Sequence, residues 1–174
     1  MILQIYKPNK TNTGHAMSIN INRNLKVDKK SPKHGELQMF VSVLKQSGWN
    51  DATKTGSFDK SRGNEKTEVF VKFNEFEVGN IISSLSRGKE LSLFHSMGQN
   101  KTQISFKTTT SEWKGKTSVR VAFGITKNST MKFFVPIEES ELKAVIICLE
   151  TFLTNLYDQR IRKAVAYQQK KENG

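Results

Sequence analysis

The stretch TEVFVKFNEFEVGNIISSLSRG, residues 67 to 88, changes its hydrophobic period in the middle. In its first part Val69, Val71 and Phe73 alternate with Phe70 and Lys72, which is the period of two that is typical of a strand. In the second part the apolar residues recur with the period of a helix. The stretch therefore predicts a strand that leads directly into a helix.

The predicted helix has recognisable ends. Asn74 is a favourable N-cap, and Glu77 occupies the third helical position, where its side chain completes a capping box. Gly88 marks the end of the helix. Four apolar residues between these ends have the spacing of one buried stripe, namely Val78, Ile81, Ile82 and Leu85.

Gly79 lies inside this helix, where glycine costs about 1 kcal/mol relative to alanine. It is next to Val78, at the margin of the buried stripe. We expect this margin to approach another backbone too closely for a side chain to fit.

Further strand patterns stand on both sides of this junction. Residues 1–6, 15–22 and 36–46 precede it, although the apolar run of the third segment also fits a helix. The polar segment 47–66 is predicted to be a long loop. Four short strands follow the helix, at residues 91–96, 102–109, 117–125 and 130–137. The chain then closes with a long amphipathic helix over residues 140–169.

This order of elements predicts an α+β fold with antiparallel sheets. A chain of 174 residues is the size of one domain. We therefore expect a single domain over residues 1–168 and a flexible tail over residues 169–174.

The charge is strongly positive and unevenly placed. Lys and Arg number 28 against 16 Asp and Glu, which gives a net charge of +12. Six basic and six acidic residues cancel from residue 138 onward, so the first 137 residues hold 22 basic against 10 acidic groups. Such an excess indicates a polyanionic partner, either nucleic acid or an anionic membrane surface.

Cysteine usage and the N-terminus point to a reducing compartment. Cys148 is the only cysteine, which excludes an intrachain disulfide and a cysteine-based zinc site. The first residues contain too short an apolar run for a signal peptide. We expect a cytoplasmic protein, associated with a nucleoid or made in a phage-infected bacterium.

Three stretches together resemble the Whirly-type single-stranded DNA-binding proteins. They are residues 69–96, 101–106 and 133–156. The matching positions are Val69 to Phe73, Glu77-Val78-Gly79, Leu93-Phe94-His95 and Val135-Pro136-Ile137. Residues 69–160 match well, whereas near the N-terminus only Tyr6 and Lys7 agree with the family pattern before Pro8 and Asn9 interrupt it. A prokaryotic or phage relative of that family is expected.

The resemblance implies two four-stranded antiparallel sheets packed crosswise, with the two helices as a kernel. It also implies homotetramers that associate through these helices. Single-stranded DNA would be bound with little sequence preference, along sheet edges and between the sheets of neighbouring protomers. Such a protein is not an enzyme, needs no cofactor and protects DNA during replication, recombination or repair.

Stacking rings beside basic side chains are what binding of single strands requires. The candidate nucleic-acid-binding residues are Tyr6, Lys7, Lys10, Trp49, Lys54, Phe58, Lys60, Arg62, Lys101, Trp113, Lys114, Lys116 and Arg120. Trp113 and Phe58 are expected to be exposed. We assign Phe70, Phe94 and Phe134 to packing, together with the remaining strand phenylalanines. The predicted contacts for oligomerisation, on the last helix, are Leu142, Val145, Ile146, Leu149, Phe152 and Leu153.

Other functions have less support in the sequence. RNA binding or annealing remains an alternative, and so does regulation through DNA binding. An enzyme would need a cluster of acidic or metal-binding side chains, and His15, His34 and His95 do not have metal-site spacing. His95 is expected to be a structural histidine with one nitrogen satisfied. No metal is expected.

Overall fold

The structure, a computed structural model, describes residues 2–113 and 116–172, without the side chains of residue 97 and residues 111–119. The predicted junction is present, since strand β6 (Glu68–Phe73) runs into helix α1 (Glu75–Ser86). The capping box is formed as well. Asn74 Oδ1 accepts the Glu77 N–H at 2.9 Å, and the Asn74 N–H donates to Glu77 Oε2 at 2.9 Å.

Eight long strands form two antiparallel sheets, which confirms the predicted α+β fold. Sheet 1 has the order β1-β2-β3-β6, with β1 at Leu3–Lys7, β2 at His15–Arg23 and β3 at Leu37–Lys45. Sheet 2 has the order β10-β9-β8-β7, with β7 at Leu91–Met97, β8 at Asn100–Trp113, β9 at Lys116–Lys127 and β10 at Met131–Ile137. Helix α2 (Glu139–Glu172) follows β10 and includes residues that we expected in a tail.

One core joins the two sheets and both helices. Strand β10 lies against β1, β2 and β3, so sheet 2 crosses the inner side of sheet 1. Alternate residues of each strand point inward, as the period of two requires. The largest fully buried side chains come from all four parts of the fold and include Ile19, Met39, Val78, Ile81, Ile104, Phe123, Val135, Phe152 and Leu156.

Helix α2 is fixed to sheet 1 and to α1 through Arg160. Arg160 Nε donates to Glu36 Oε1 at 2.7 Å, and its Nη1 donates to Glu75 Oε1 at 2.9 Å. Gln159 Nε2 also donates to the Gly35 carbonyl at 2.8 Å. These contacts hold the β2–β3 connection against the side of α2.

Two local predictions were wrong. A Cβ on Gly79 would meet no atom within 4 Å, so the predicted close approach of another backbone does not occur within this chain. The segment 47–66 also contains more structure than a plain loop. It forms a small hairpin of β4 (Gly48–Asn50) and β5 (Thr55–Ser57), followed by a short turn of 3₁₀ helix at Asp59–Ser61.

Candidate nucleic-acid interface

The outer face of sheet 1 is polar and carries aromatic rings. In the strand register Ser18 is opposite Ser42, which is opposite Phe70. The neighbouring row places Asn20 opposite Phe40 and Phe40 opposite Lys72. Because strand residues alternate between faces, these side chains point away from the core.

Two adjoining depressions cross this face. The first, of about 590 Å³, extends over β2, β3 and β6 and ends near Arg23 and Lys26. The second, of about 560 Å³, lies between the β6 edge of sheet 1 and the β7 edge of sheet 2. Both are lined by Phe40, Glu68 and Phe70. We call the two depressions together the sheet-1 groove.

Three phenylalanines that we assigned to packing are instead on the surface. Phe70 is 63% exposed, Phe94 is 64% exposed and Phe134 is 50% exposed. Their neighbours in sequence, such as Val69 and Phe133, occupy the inward positions and are buried. The assignment failed because strands with apolar residues on both faces do not show which face meets water. Exposed rings of this size are candidate platforms for base stacking.

Unpaired cations border the sheet-1 groove. Arg62 and Lys26 line its first depression, and Lys72 lines its second. Among the described side chains, none of these three forms an ion pair with a carboxylate. Glu68 is an acid within the groove, and its Oε2 accepts the Gly63 N–H at 2.6 Å. The cations are therefore available to a ligand with negative charge.

Small polar side chains cover the floor of the groove between the rings. The Ser18 and Ser42 hydroxyls form a hydrogen bond of 2.7 Å with each other. Asn20 Nδ2 donates to Ser18 Oγ over a long distance of 3.4 Å. This contact is weak, so most of the hydrogen-bonding capacity of the Asn20 amide stays free. Such a surface can make hydrogen bonds to a ligand that lies against the rings.

Of the predicted binding residues, Arg62 lies in the groove, whereas Lys7 and Arg120 are used within the chain. Lys7 Nζ is 2.8 Å from Glu141 Oε1, and Arg120 Nε is 2.8 Å from Glu138 Oε2. Both pairs connect a sheet to the start of α2. A phosphate that binds Lys7 or Arg120 would therefore have to compete with these carboxylates.

Phe58 is a second correction. We expected it to be exposed, but only 6% of it is accessible, because it packs on Ala16 and Leu44 at one end of the outer face of sheet 1. Its ring is 5.8 Å from the ring of Tyr6, which remains about half exposed. The segment from β4 to β6 thus covers this end of the sheet, and Phe58 anchors it.

The other predicted residues are dispersed. Trp49 is half-buried, and its Nε1 donates to Asp51 Oδ1 at 3.2 Å. The exposed lysines lie apart from one another, with Lys10 after β1, Lys54 and Lys60 in the segment before β6, and Lys101 within the first residues of β8. Trp113, Lys114 and Lys116 fall outside the residues whose side chains the structure describes.

The predicted oligomer contacts on α2 largely serve the chain's own core. Val145, Leu149 and Phe152 are buried within the single chain, so they cannot meet a partner. Leu142, Ile146 and Leu153 are partly buried against the same core. The sequence showed a broad apolar stripe but not which part of it the two sheets cover. The large apolar residues of α2 that stay exposed are Ile147, Tyr157, Ile161, Val165 and Tyr167.

Two histidines have structural environments. His95 Nε2 donates to Glu77 Oε1 at 2.7 Å, which confirms one satisfied nitrogen and joins β7 to the start of α1. His15 Nε2 is buried without a hydrogen-bond partner among the described residues. Burial and, to a smaller extent, the charge of Lys45 lower the pKa of His15 to about 4.

Comparison with solved structures identifies the fold. The structure of the plant transcriptional regulator PBF-2 aligns with a TM-score of 0.57 and 12% identity, over 95% of this chain and 85% of that one. WHY3 from Arabidopsis thaliana aligns with a TM-score of 0.57 and 14% identity, over 94% of this chain and 95% of that one. The chain has the Whirly fold. At this level of identity the likeness concerns the fold alone.

No family model matches the chain, and no curated protein matches it either. Within the described residues, no helix combines the length and the apolar character needed to cross a membrane. The same residues contain no group of three or more His, Cys, Asp or Glu side chains placed to hold a metal ion.

Proposed function

We propose that this protein binds single-stranded DNA without catalysing a reaction, and that the sheet-1 groove is the binding site. The observation that carries the proposal is the pair of rings Phe40 and Phe70, which line the sheet-1 groove together with the cations Lys26, Arg62 and Lys72. The net charge of +12 and the Whirly fold support the same conclusion.

The groove offers the two interactions that single strands require. Cations neutralise phosphates and release counterions. The slope of log affinity against log salt concentration therefore becomes more negative by about 0.7 for each phosphate neutralised. Rings stack on bases, and each stacked base is worth roughly 1–3 kcal/mol whatever its identity. A ligand with both a charged backbone and unpaired bases uses both interactions. We infer that the protein coats exposed strands in replication, recombination or repair.

Titration of a fluorescent oligo-dT by anisotropy tests the proposal. We expect submillimolar or tighter binding at about 50 mM salt, which weakens steeply as salt is added. Absence of submillimolar binding under this condition would contradict the proposal. Phe70→Ala should weaken binding without loss of fold, because Phe70 is mostly exposed.

RNA binding is the second candidate, since neither the rings nor the cations of the groove distinguish the two sugars. Competition of oligo-dT against oligo-U separates the two ligands. Duplex DNA of the same length tests the regulator alternative, and affinity for duplex equal to that for single strands would favour it. We expect the duplex to bind more weakly, because its paired bases cannot stack on Phe40 and Phe70.

We also propose that the protein is an oligomer, and a homotetramer as the resemblance implies. Phe76 on α1 is 75% exposed and Ile147 on α2 is 62% exposed, so both helices present apolar side chains that this chain does not cover. Gly79 has free space around it within the chain, and approach of a helix from a second copy would explain why no side chain is present.

Light scattering at micromolar concentration measures the mass. We expect about four times the chain mass of 19.8 kDa. Gly79→Leu should reduce this mass if the helices meet, whereas helical content should be kept because leucine is a better helix former than glycine. A mass near that of one chain for the wild type would overturn the proposal.

A further inference from the structure

The connection between β2 and β3 carries four exposed lysines. We call residues 24–36 the lysine loop, and its lysines are Lys26, Lys29, Lys30 and Lys33. Among the described side chains, none of the four forms an ion pair with a carboxylate. The lysines are therefore available to a partner outside the chain.

The two acids of the lysine loop do not cancel its charge. Glu36 Oε1 accepts from Arg160 Nε at 2.7 Å, so this carboxylate is already paired with a cation of α2. Asp28 Oδ1 accepts the Lys30 backbone N–H at 2.7 Å and stabilises a turn of the loop. Asp28 offsets one of the four lysine charges, and the surface of the loop stays positive.

Hydrogen bonds give the lysine loop a defined shape. The Ser31 N–H donates to the Asp28 carbonyl at 2.9 Å, and the His34 N–H donates to the Ser31 carbonyl at 2.9 Å. From α2, Lys163 Nζ donates to the His34 carbonyl at 2.8 Å. The exposed lysines thus project from a folded connection that is fixed to the side of α2.

An apolar side chain stands among these charges. Leu25 directly precedes Lys26 and is 65% exposed, so it contributes little to the core. Val27, two residues later, is half-buried. Leu25 is therefore free to enter an apolar environment outside the chain, beside cations that attract negative charge.

The composition of the lysine loop favours a lipid surface over single-stranded DNA. Residues 24–36 contain no Phe, Tyr or Trp. The His34 ring is partly buried, and its Nδ1 is 3.1 Å from the Val27 carbonyl. Bases would therefore find no ring to stack on. A membrane with anionic headgroups offers phosphates to the lysines and an acyl layer to Leu25, so it uses both features of the loop.

The lysine loop stays accessible when two copies meet through α2. It is bound to α2 at Gln159 and Lys163, which follow Ile147 by 12 and 16 residues. At about 100° per residue, these positions are about 120° and about 160° around the helix from Ile147. A second copy that covers Ile147 therefore contacts the other side of α2.

We propose that the lysine loop docks the protein on membranes that carry anionic phospholipids. Lys29, Lys30 and Lys33 contact the headgroup phosphates, and Leu25 enters the boundary with the acyl chains. Because the loop and the sheet-1 groove are different surfaces, a single strand held in the groove is brought next to the membrane. Docking itself does not depend on the function proposed for the groove.

Flotation with lipid vesicles tests the docking site. The full-length protein is mixed, without nucleic acid, with vesicles of equal parts phosphatidylglycerol and phosphatidylcholine. A parallel sample contains vesicles of phosphatidylcholine alone. At about 0.1 M salt we expect binding only to the vesicles that contain phosphatidylglycerol, because the lysines need a negatively charged surface.

Removal of charge from the loop should weaken this binding strongly. The variant Lys29→Gln, Lys30→Gln, Lys33→Gln keeps Lys26, which also lines the sheet-1 groove. Each lysine near an anionic surface contributes roughly fivefold to the affinity, so the variant should bind the vesicles roughly 100-fold more weakly. Its affinity for oligo-dT should change much less, because none of the three lysines lines the groove.

Two controls accompany this variant. The first removes the same charge from exposed positions on sheet 2 and α2, by Lys107→Gln, Lys132→Gln and Lys143→Gln. It should bind the vesicles within about threefold of the wild type, since charges that lie more than a Debye length from the membrane are screened. The second control, Phe70→Ala, should bind oligo-dT more weakly and the vesicles as well as the wild type does.

A dye on the loop reports whether Leu25 enters the lipid. Cys148 is the only cysteine and is buried, so Leu25→Cys directs an environment-sensitive dye such as nitrobenzoxadiazole to residue 25. We expect a blue shift and brighter emission when the phosphatidylglycerol vesicles are added. The same dye on Lys54→Cys, between β4 and β5, should show no shift.

The outcomes separate docking from the binding of single strands. Absence of binding to the phosphatidylglycerol vesicles would overturn the docking site, and so would an unshifted dye at residue 25. Equal losses in the loop variant and the first control would overturn it too, because general charge would then explain the binding. If the loop variant lost as much affinity for oligo-dT as for vesicles, the loop would belong to the nucleic-acid site instead.

The wild type and the fold of the variants complete the comparison. Vesicle binding without any binding of oligo-dT by the wild type would overturn only the function proposed for the groove. A circular dichroism spectrum unchanged from that of the wild type shows that each variant is folded, as expected for substitutions of exposed side chains.

Discussion

Replacing three cations of the sheet-1 groove by glutamine should weaken the binding of single strands and flatten its salt dependence. The variant Lys26→Gln, Arg62→Gln, Lys72→Gln keeps side chains of similar length but removes three positive charges. All three residues are exposed and form no ion pair with the described side chains, so the fold should not depend on them. Their loss should therefore appear in binding and not in stability.

The magnitude follows from counterion release. Each neutralised phosphate contributes about 0.7 to the magnitude of the slope of log affinity against log salt concentration, so three contacts contribute about 2 to that slope. At about 0.1 M salt, one decade below the 1 M reference, this corresponds to about a 100-fold loss of affinity. In free energy the loss is about 2.8 kcal/mol.

Anisotropy titrations with oligo-dT between about 50 and 300 mM salt measure both quantities. The matched control is Lys143→Gln, Lys170→Gln, Lys171→Gln, which removes the same charge from exposed positions on α2. We expect the control to retain the slope of the wild type within about 0.7. Equal slopes for the groove variant and the control would refute the assignment of the groove, because general charge would then explain the binding.

Two further predictions concern stability. Because the pKa of His15 is lowered to about 4 in the folded protein, the unfolded chain binds this proton at a higher pH than the folded chain does. The free energy of unfolding therefore has its full value above about pH 6.5 and decreases as the pH falls towards 4. Between pH 7.5 and 5, the free energy of unfolding measured with urea should decrease by about 2 kcal/mol less in His15→Gln than in the wild type. Equal decreases in the two proteins would contradict this prediction. Arg160→Ala should cost about 1–2 kcal/mol, because it leaves Glu36 and Glu75 without their partner. Arg162→Ala removes a mostly exposed ion pair with Asp158 and should cost about 0.5 kcal/mol or less. Equal costs for the two variants would argue against the proposed role of Arg160.

Local patterns were sufficient to predict the α+β class and the junction of β6 with α1, whereas the two crossed four-stranded sheets were expected only from the family resemblance. The junction after Phe73 is encoded by the change of hydrophobic period and by the capping pair Asn74 and Glu77, all of which are neighbours in the sequence. Cap geometry depends on a few adjacent residues, so it can be predicted without knowledge of distant contacts. The order of strands and helices then limits the fold class.

The site could not be predicted to the same extent, because exposure depends on how elements pack. Phe58 stands in a polar segment, yet that segment folds onto sheet 1 and buries it. Phe70 and Phe134 stand in apolar strands, yet they point away from the core. The signal in the sequence that could have revealed these rings was the alternation of each strand, because Phe70 shares its face with Lys72 and Phe134 shares its face with Lys132.

Ion pairs within the fold are a second feature that the sequence does not show. Lys7 and Arg120 look free in the sequence, but the acids that meet them, Glu138 and Glu141, are distant in the chain. A count of charges does not show which cations are already neutralised within the fold. The cations that remain open, such as Lys72, are recognised only when the two sheets are in place.

Photo-cross-linking of an oligonucleotide that carries 5-iodouracil, followed by mass spectrometry of the linked peptides, tests most directly whether the outer face of sheet 1 contacts bases. We expect the main cross-links on Phe40 and Phe70, with their yield falling as salt is raised. Cross-links confined to the hairpin around Trp49, with none on β3 or β6, would contradict binding in the sheet-1 groove.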